Sequence, residues 1–144
     1  MSVAIVGEPA LRLRCQTILA RERIASRGTS LADAARLLRR HRPGVLLLDA
    51  TRWPKRALSA LPTLRAVSPH TGVLIVGRRR ASTTTLLRAV RQGAWGHLAA
   101  PDLPHDLVKA VRMIAARQTW LPRRLSAAIV ADLVDRGHAK KGIA

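Results

Sequence analysis

His41-Arg42-Pro43-Gly44 followed by Val45-Leu46-Leu47-Leu48-Asp49 is the stretch on which the fold turns. Its first four residues stop a helix. The next four are all apolar, and Asp49 closes them. A strand buried on one face alternates, whereas one buried on both faces reads as an unbroken apolar run. Two further runs have this character. Val3-Ala4-Ile5-Val6 ends at Gly7, and Val73-Leu74-Ile75-Val76 ends at Gly77. A weaker strand is expected at Ile24-Ala25-Ser26, ending near Gly28, and a short one at Gly96-His97-Leu98.

Helical spacing fills the intervals. Pro9 to Arg23 carries Leu11, Cys15, Ile18 and Leu19 on one side. Ser30 is placed to cap a helix with Ala34, Ala35, Leu37 and Leu38 inward. Pro62 is expected in the first turn of a helix from Leu61 to Val67, since proline fits there and not further in. Ser82 caps a helix to Gln92, stopped by Gly93, and Pro104 to Arg117 forms another. Leu121-Pro122 opens a last amphipathic helix, with Leu125, Ala128, Ile129 and Leu133 at helical spacing. It is expected to reach Val134 and to stop at Gly137, leaving a basic tail. Strand and helix thus alternate in an α/β chain with a doubly wound five-stranded parallel sheet, flavodoxin-like, plus an extra C-terminal helix. Such a sheet binds ligands at the C-terminal ends of its strands. The residues to examine are therefore Gly7-Glu8, Asp49, Gly77-Arg78 and Ala99-Ala100-Pro101.

The 144 residues carry 26 Lys and Arg against 8 Asp and Glu, a net charge of +18. That excess raises the prospect of a polyanionic partner, nucleic acid above all. Tyr and Phe are absent, which argues against a surface that stacks single-stranded bases. Cys15 is alone, so no disulfide scaffold exists. With no signal peptide, this points to a reducing, cytoplasmic setting. No apolar run approaches the roughly 18 residues of a membrane-spanning helix. The histidines lack metal-ligand spacing, and no acid/base constellation of an enzyme is legible.

Arg42-Pro-Gly-Val-Leu-Leu-Leu-Asp49 and Leu86-Leu-Arg-Ala-Val-Arg-Gln-Gly-Ala-Trp-Gly-His-Leu98 together resemble the receiver domain of bacterial response regulators. The likeness is greatest to the NarL/FixJ (LuxR-type) group, and it covers about Val3 to Val134. Thr119-Trp-Leu-Pro-Arg-Arg-Leu125 resembles that group's entry into its final helix and linker. The resemblance implies a receiver-like domain over 1–117, a C-terminal helix, linker or dimerisation segment over 118–136, and a basic tail over 137–144. It also implies an aspartate that accepts a phosphoryl group and two acids after the first strand that hold Mg²⁺. A hydroxyl residue after the fourth strand and a lysine after the fifth would contact the phosphoryl oxygens, because a trianionic transferring group must be neutralised and oriented.

Asp49 occupies the acceptor position, but most of the remaining kit is missing. The acidic pair has shrunk to Glu8. Gly77 stands where the hydroxyl residue belongs, Ala100 where the lysine belongs, and His97 replaces the switch aromatic. One acid is too few for a strong Mg²⁺ site, so no cofactor is expected. Without both phosphate contacts, the coupling of phosphorylation to conformation is lost. Asp49 is then expected as an inactive residue in a charge pair with Arg52 or one of Arg78, Arg79 and Arg80. Those same arginines are the candidate anion contacts.

The sequence is accordingly read as a non-enzymatic, phosphorylation-independent receiver-like domain in transcription regulation. Its expected partners are a protein or a second copy, with no membrane. The alternatives are nucleic-acid binding through the basic surface, and a receiver still phosphorylated at Asp49. In the resembling group a helix-turn-helix module follows directly, and no recognition helix is legible within these residues.

Overall fold

A computed structural model describes the backbone of residues 1–143 and the side chains of 1–136. The five strands are β1 (Ser2–Val6), β2 (Ala25–Thr29), β3 (Val45–Ala50), β4 (Gly72–Gly77) and β5 (Gly96–Ala99). They form one parallel sheet in the order β2-β1-β3-β4-β5. The helices are α1 (Pro9–Arg21), α2 (Ala34–His41), α3 (Pro54–Val67), α4 (Thr83–Arg91), α5 (Leu103–Ala115) and α6 (Arg123–Ile143). This is the expected doubly wound arrangement with its additional final helix.

The two sheet faces explain the unbroken apolar runs. Val3, Ile5, Val45, Leu47, Leu74 and Val76 pack with Cys15 and Leu19 of α1 and Leu107, Val111 and Ile114 of α5. Ala4, Val6, Leu46, Leu48, Val73 and Ile75 pack with residues of α2, α3 and α4, among them Leu38, Leu61, Leu64 and Ala89. Successive side chains of β1, β3 and β4 therefore enter opposite cores, and every position must be apolar. Burying a Leu or Ile side chain contributes about 1.5–3 kcal/mol. The central strands thus hold the sheet rigid beneath the loops at their C-terminal ends. Strand β2 reads weakly because it is an edge, with exposed Ala25 and Arg27 and a glycine at 28.

Where β4 begins, a polar contact fixes the loop. Thr71 Oγ1 donates to the Pro43 carbonyl at 2.7 Å, and the Ser68 hydroxyl lies 2.6 Å from Thr71 Oγ1. Since the Thr71 proton is committed to Pro43, Ser68 donates to Thr71. Both residues are buried, so the pair satisfies groups that would otherwise be stranded.

Two expectations are corrected. Helix α3 begins at Pro54, not at Leu61, and Pro62 lies inside it. Pro54 takes the first-turn position that suits proline. Pro62 faces solvent between buried Leu61 and Leu64, so packing on its inner side carries the helix through the missing N–H bond. Helix α6 is not stopped by Gly137 but continues to Ile143. A glycine inside a helix costs only about 1 kcal/mol when its φ and ψ are helical. Side chains of the expected basic tail, and residue 144, lie outside the described residues. Of the apolar residues at helical spacing on α6, Leu125 is fully buried and Leu133 is 63% exposed.

The segment before α6 is tied to the sheet. Trp120 makes an isolated parallel bridge with Gly96; its N–H donates to the Trp95 carbonyl, and its own carbonyl accepts from His97 N–H. Arg117 spans the same edge, with its guanidinium 4.7 Å from the Trp95 ring centroid and a hydrogen bond to the His70 carbonyl. Arg91 of α4 pairs with Asp132 of α6, through Nε and Oδ2 at 3.3 Å among other contacts. Ser82 accepts from Thr85 N–H at 3.2 Å, the expected cap of α4.

Candidate functional site

Glu8, Asp49, Gly77 and Ala100 all reach the C-terminal edge of the sheet, as the topology requires. The connection from β1 to α1 supplies Gly7 and Glu8, and Asp49 is the penultimate residue of β3, beside Val76 of β4. Asp49 shares a face with Leu47, and its side chain lies beside Gly7 at the end of β1. Its Oδ2 accepts the Glu8 backbone N–H at 3.1 Å. Its Oδ1 accepts the Thr51 backbone N–H at 2.9 Å and the Thr51 hydroxyl at 2.5 Å. The Thr51 backbone contact is an Asx turn, in which a carboxylate bonds the amide two residues on.

This geometry overturns the expected charge pair. Among the described residues, no arginine nitrogen comes within 4.0 Å of Asp49; the nearest thing to a pairing in the Arg78–Arg80 run is Arg80 Nε to Asp102 at 3.9 Å. Arg80 is 86% exposed there, which leaves the contact weak. Arg52 points over Trp53, its guanidinium 5.4 Å from the ring centroid. The carboxylate is neutralised by amide and hydroxyl dipoles instead. Strand ends supply those donors at no entropic cost, whereas a long arginine must be immobilised to do the same.

Gly7 is part of the same arrangement. A Cβ at position 7 would collide with the Asp49 Cβ and sit 2.6 Å from its Oδ2. The Asp49 side chain therefore occupies the space that an acidic residue at 7 would need. These residues do not suit Mg²⁺. Glu8 is the sole companion carboxylate, Asp49 is already bonded to three donors, and Arg12, Arg52 and Arg56 line the same cleft. Among the described residues, no cluster of three or more His, Cys, Asp or Glu could hold a metal ion.

The cleft beside Asp49 has a volume of about 370 Å³ and opens between β1, α1, α3 and the loop after β2. A second cleft lies on the other side of β3. Gly77, Arg78, Arg79 and His97 line it, with Ile75 beneath. Here Gly77 and His97 fit each other. A Cβ at 77 would lie 2.6 Å from His97 Nε2 and 2.9 Å from Cε1. The imidazole thus fills the volume that a hydroxyl side chain at 77 would use. Burial lowers the His97 pKa below its ordinary 6.5, since the charged ring loses water. Below that value the unfolded chain binds a proton that folded His97 resists. Stability is therefore expected to fall as the pH drops from about 7 to 5, and His97→Gln to flatten this part of the profile in urea titrations. Ala100 opens a short 3-10 turn (Ala100–Asp102) and packs, half-buried, against the α1/α5 core. It offers no polar atom to the clefts beyond its backbone.

The sequence-predicted residues therefore fall into separate groups. Glu8, Asp49 and Arg52 share the first cleft, while Gly77, His97, Arg78 and Arg79 share the second, to which Arg52 also contributes. Arg80 and His97 border a third, beside Asp102 and Trp120. Thr51, Arg12, Arg56 and Trp53 were not singled out as site residues. Thr51 was findable as the hydroxyl two places after the aspartate, and Arg12 and Arg56 stand four places after Glu8 and Arg52, one helical turn on. Cys15 is buried beneath α1, and its thiol is pushed up to about 11, mainly by desolvation, so it is not a nucleophile.

No protein-family model matches the chain, and no curated protein matches it in sequence. Solved structures do match its shape. A LuxR-family two-component response regulator from Aurantimonas superposes with a TM-score of 0.74 at 20% identity, over 92% of this chain and 97% of that one. The isolated REC domain of RcsB from Salmonella enterica serovar Typhimurium, in its apo form, gives 0.77 at 16% identity, over 90% and 98%. The chain has the receiver fold. A longer RcsB response regulator from Salmonella typhimurium gives 0.73 at 15% identity, over 88% of this chain but 65% of that one. At these identities the receiver fold is the shared property. At the strand ends of this fold stands Asp49, with Glu8, Gly77 and Ala100 on the neighbouring connections. No described helix is long and apolar enough to cross a membrane.

Proposed function

We propose that this chain is a response-regulator receiver-like signalling domain in transcription regulation that works without aspartyl phosphate. One observation carries the reading. The Asp49 side chain lies against Gly7 and is bonded to Glu8 N–H and to both donors of Thr51, so its charge is already compensated by three donors of this chain. The absent hydroxyl at Gly77 and the absent amine at Ala100 support it. A phosphoryl group arriving at Asp49 would meet neither of those two contacts.

On this reading Gly77 and His97 form a switch region held in one position, because the ring already fills the volume beside β4. Output passes through contacts with a protein or a second copy, in a cytoplasmic setting. Residues 1–117 form the receiver part and 118–136 the contact segment. Val130, Leu133 and Val134 of α6 are exposed apolar side chains suited to such contacts. A small phosphodonor supplied with Mg²⁺ tests the reading: Asp49 is expected to remain unmodified.

A further inference from the structure

We infer that the cleft beside Asp49 is a binding site for a small oxyanion of the phosphate class. The inference rests on the phosphorylation-independent reading and deepens it, since a freely exchanging ligand there would supply the input that aspartyl phosphate does not.

Arg12 carries the argument. It projects from the first turns of α1 across edge strand β2 at Gly28, where a Cβ would lie 3.0 Å from Arg12 Cδ and 3.5 Å from its Cβ. Gly28 thus leaves the path along which the Arg12 stem reaches the cleft. Its Nε is buried and makes no hydrogen bond among the described residues, so it is out of an oxyanion's reach; the groups Arg12 can turn toward the cleft that it lines are its terminal Nη donors.

Two more guanidiniums are held nearby. Arg52 and Arg56 each place their Cζ 5.4 Å from the Trp53 ring centroid. Cation–π contact with one ring restricts both side chains, so little further entropy is lost when they bind. All three arginines line the cleft. Against them stand Glu8 and Asp49, and Asp49 is already compensated by its own donors. The surplus is positive, which repels a divalent cation and attracts an anion. Guanidinium forks match phosphate oxygens two at a time. Leu31 and Ala57 add apolar wall, and the volume of about 370 Å³ holds a phosphate with a small organic group.

Calorimetric titration of the full chain with inorganic phosphate and with phenyl phosphate, against chloride at matched ionic strength, tests this. Saturable binding beyond chloride is expected. Arg12→Gln should weaken it by about tenfold or more, the loss of one charge-assisted hydrogen bond. Arg56→Gln is an exposed substitution that leaves the cores untouched, and it should weaken binding several-fold. Arg79→Gln, in the neighbouring cleft, should leave it unchanged. Tighter binding of phenyl phosphate identifies an organic ester as the source; tighter binding of inorganic phosphate identifies the free anion. Absence of saturable binding, or binding unaltered by both Arg12→Gln and Arg56→Gln, overturns the site. Intact-mass measurement after addition of a phosphodonor and Mg²⁺ separates the two failures. A phosphoryl group on Asp49 refutes the phosphorylation-independent reading, whereas absent titration heat refutes the anion site alone.

Discussion

Gly7→Asp, the substitution that restores the missing acid, is expected to destabilise the protein by about 3 kcal/mol or more. Position 7 follows Ile5 and Val6, which are 0% and 1% exposed and locked between β2 and β3. The backbone there has no room to retreat. A Cβ at 7 collides with the Asp49 Cβ, so the aspartate must rotate. Rotation breaks the bonds from Glu8 N–H and from Thr51, each a charge-assisted contact. A second carboxylate then stands beside the first, and like charges at close range raise the cost. Gly7→Ala isolates the steric part and should cost about 1–3 kcal/mol by urea denaturation. A neutral Gly7→Ala would show that Asp49 is not seated against β1.

The second large effect belongs to the other cleft. Gly77→Thr, which restores the missing hydroxyl, should cost about 2 kcal/mol. The new side chain takes the place of the His97 ring, whose Nε2 would lie 2.6 Å from its Cβ. His97 is at the tip of a movable side chain, so it can swing out toward solvent, and the cost is the burial it forfeits. Two readouts follow. In a His97→Ala background Gly77→Thr should lose most of its penalty, a coupling that a double-mutant cycle measures. The His97 pKa, lowered by burial in the parent, should also rise toward 6.5 in Gly77→Thr as the ring regains water. Additive effects with an unmoved pKa would separate the two residues.

Sheet and core were legible because both faces of β1, β3 and β4 are covered. Val3 to Val6, Val45 to Leu48 and Val73 to Val76 had no polar position to hide them. Helix α3 was misread because proline was weighed by local chemistry alone. The packing of Ala57, Leu61 and Leu64 is non-local and overrides one lost hydrogen bond at Pro62. The spacing of Leu125, Ala128, Ile129 and Leu133 left open whether α6 packs inward; Leu125 is buried, Arg91 of α4 pairs with Asp132, and Leu133 stays exposed.

At the site, the sequence showed which residues the strand ends would gather: Glu8, Asp49, Gly77 and Ala100. What surrounds the carboxylate it did not show. Opposite charges nominate partners in a sequence, so Arg52 and Arg78 to Arg80 were nominated for Asp49. The structure gives it amides and a hydroxyl, donors that composition does not reveal. Likewise the glycines at 7 and 77 read as losses. In three dimensions each is the empty half of a contact, one with Asp49 and one with His97.

That mutual fit makes the chemistry at Asp49 the direct test. The full chain is incubated with a small phosphodonor and Mg²⁺, and its intact mass is read beside that of Asp49→Asn. An unchanged mass in both is the result predicted here. An acid-stable, base-labile phosphoryl adduct that forms stoichiometrically on the parent and not on Asp49→Asn would contradict it.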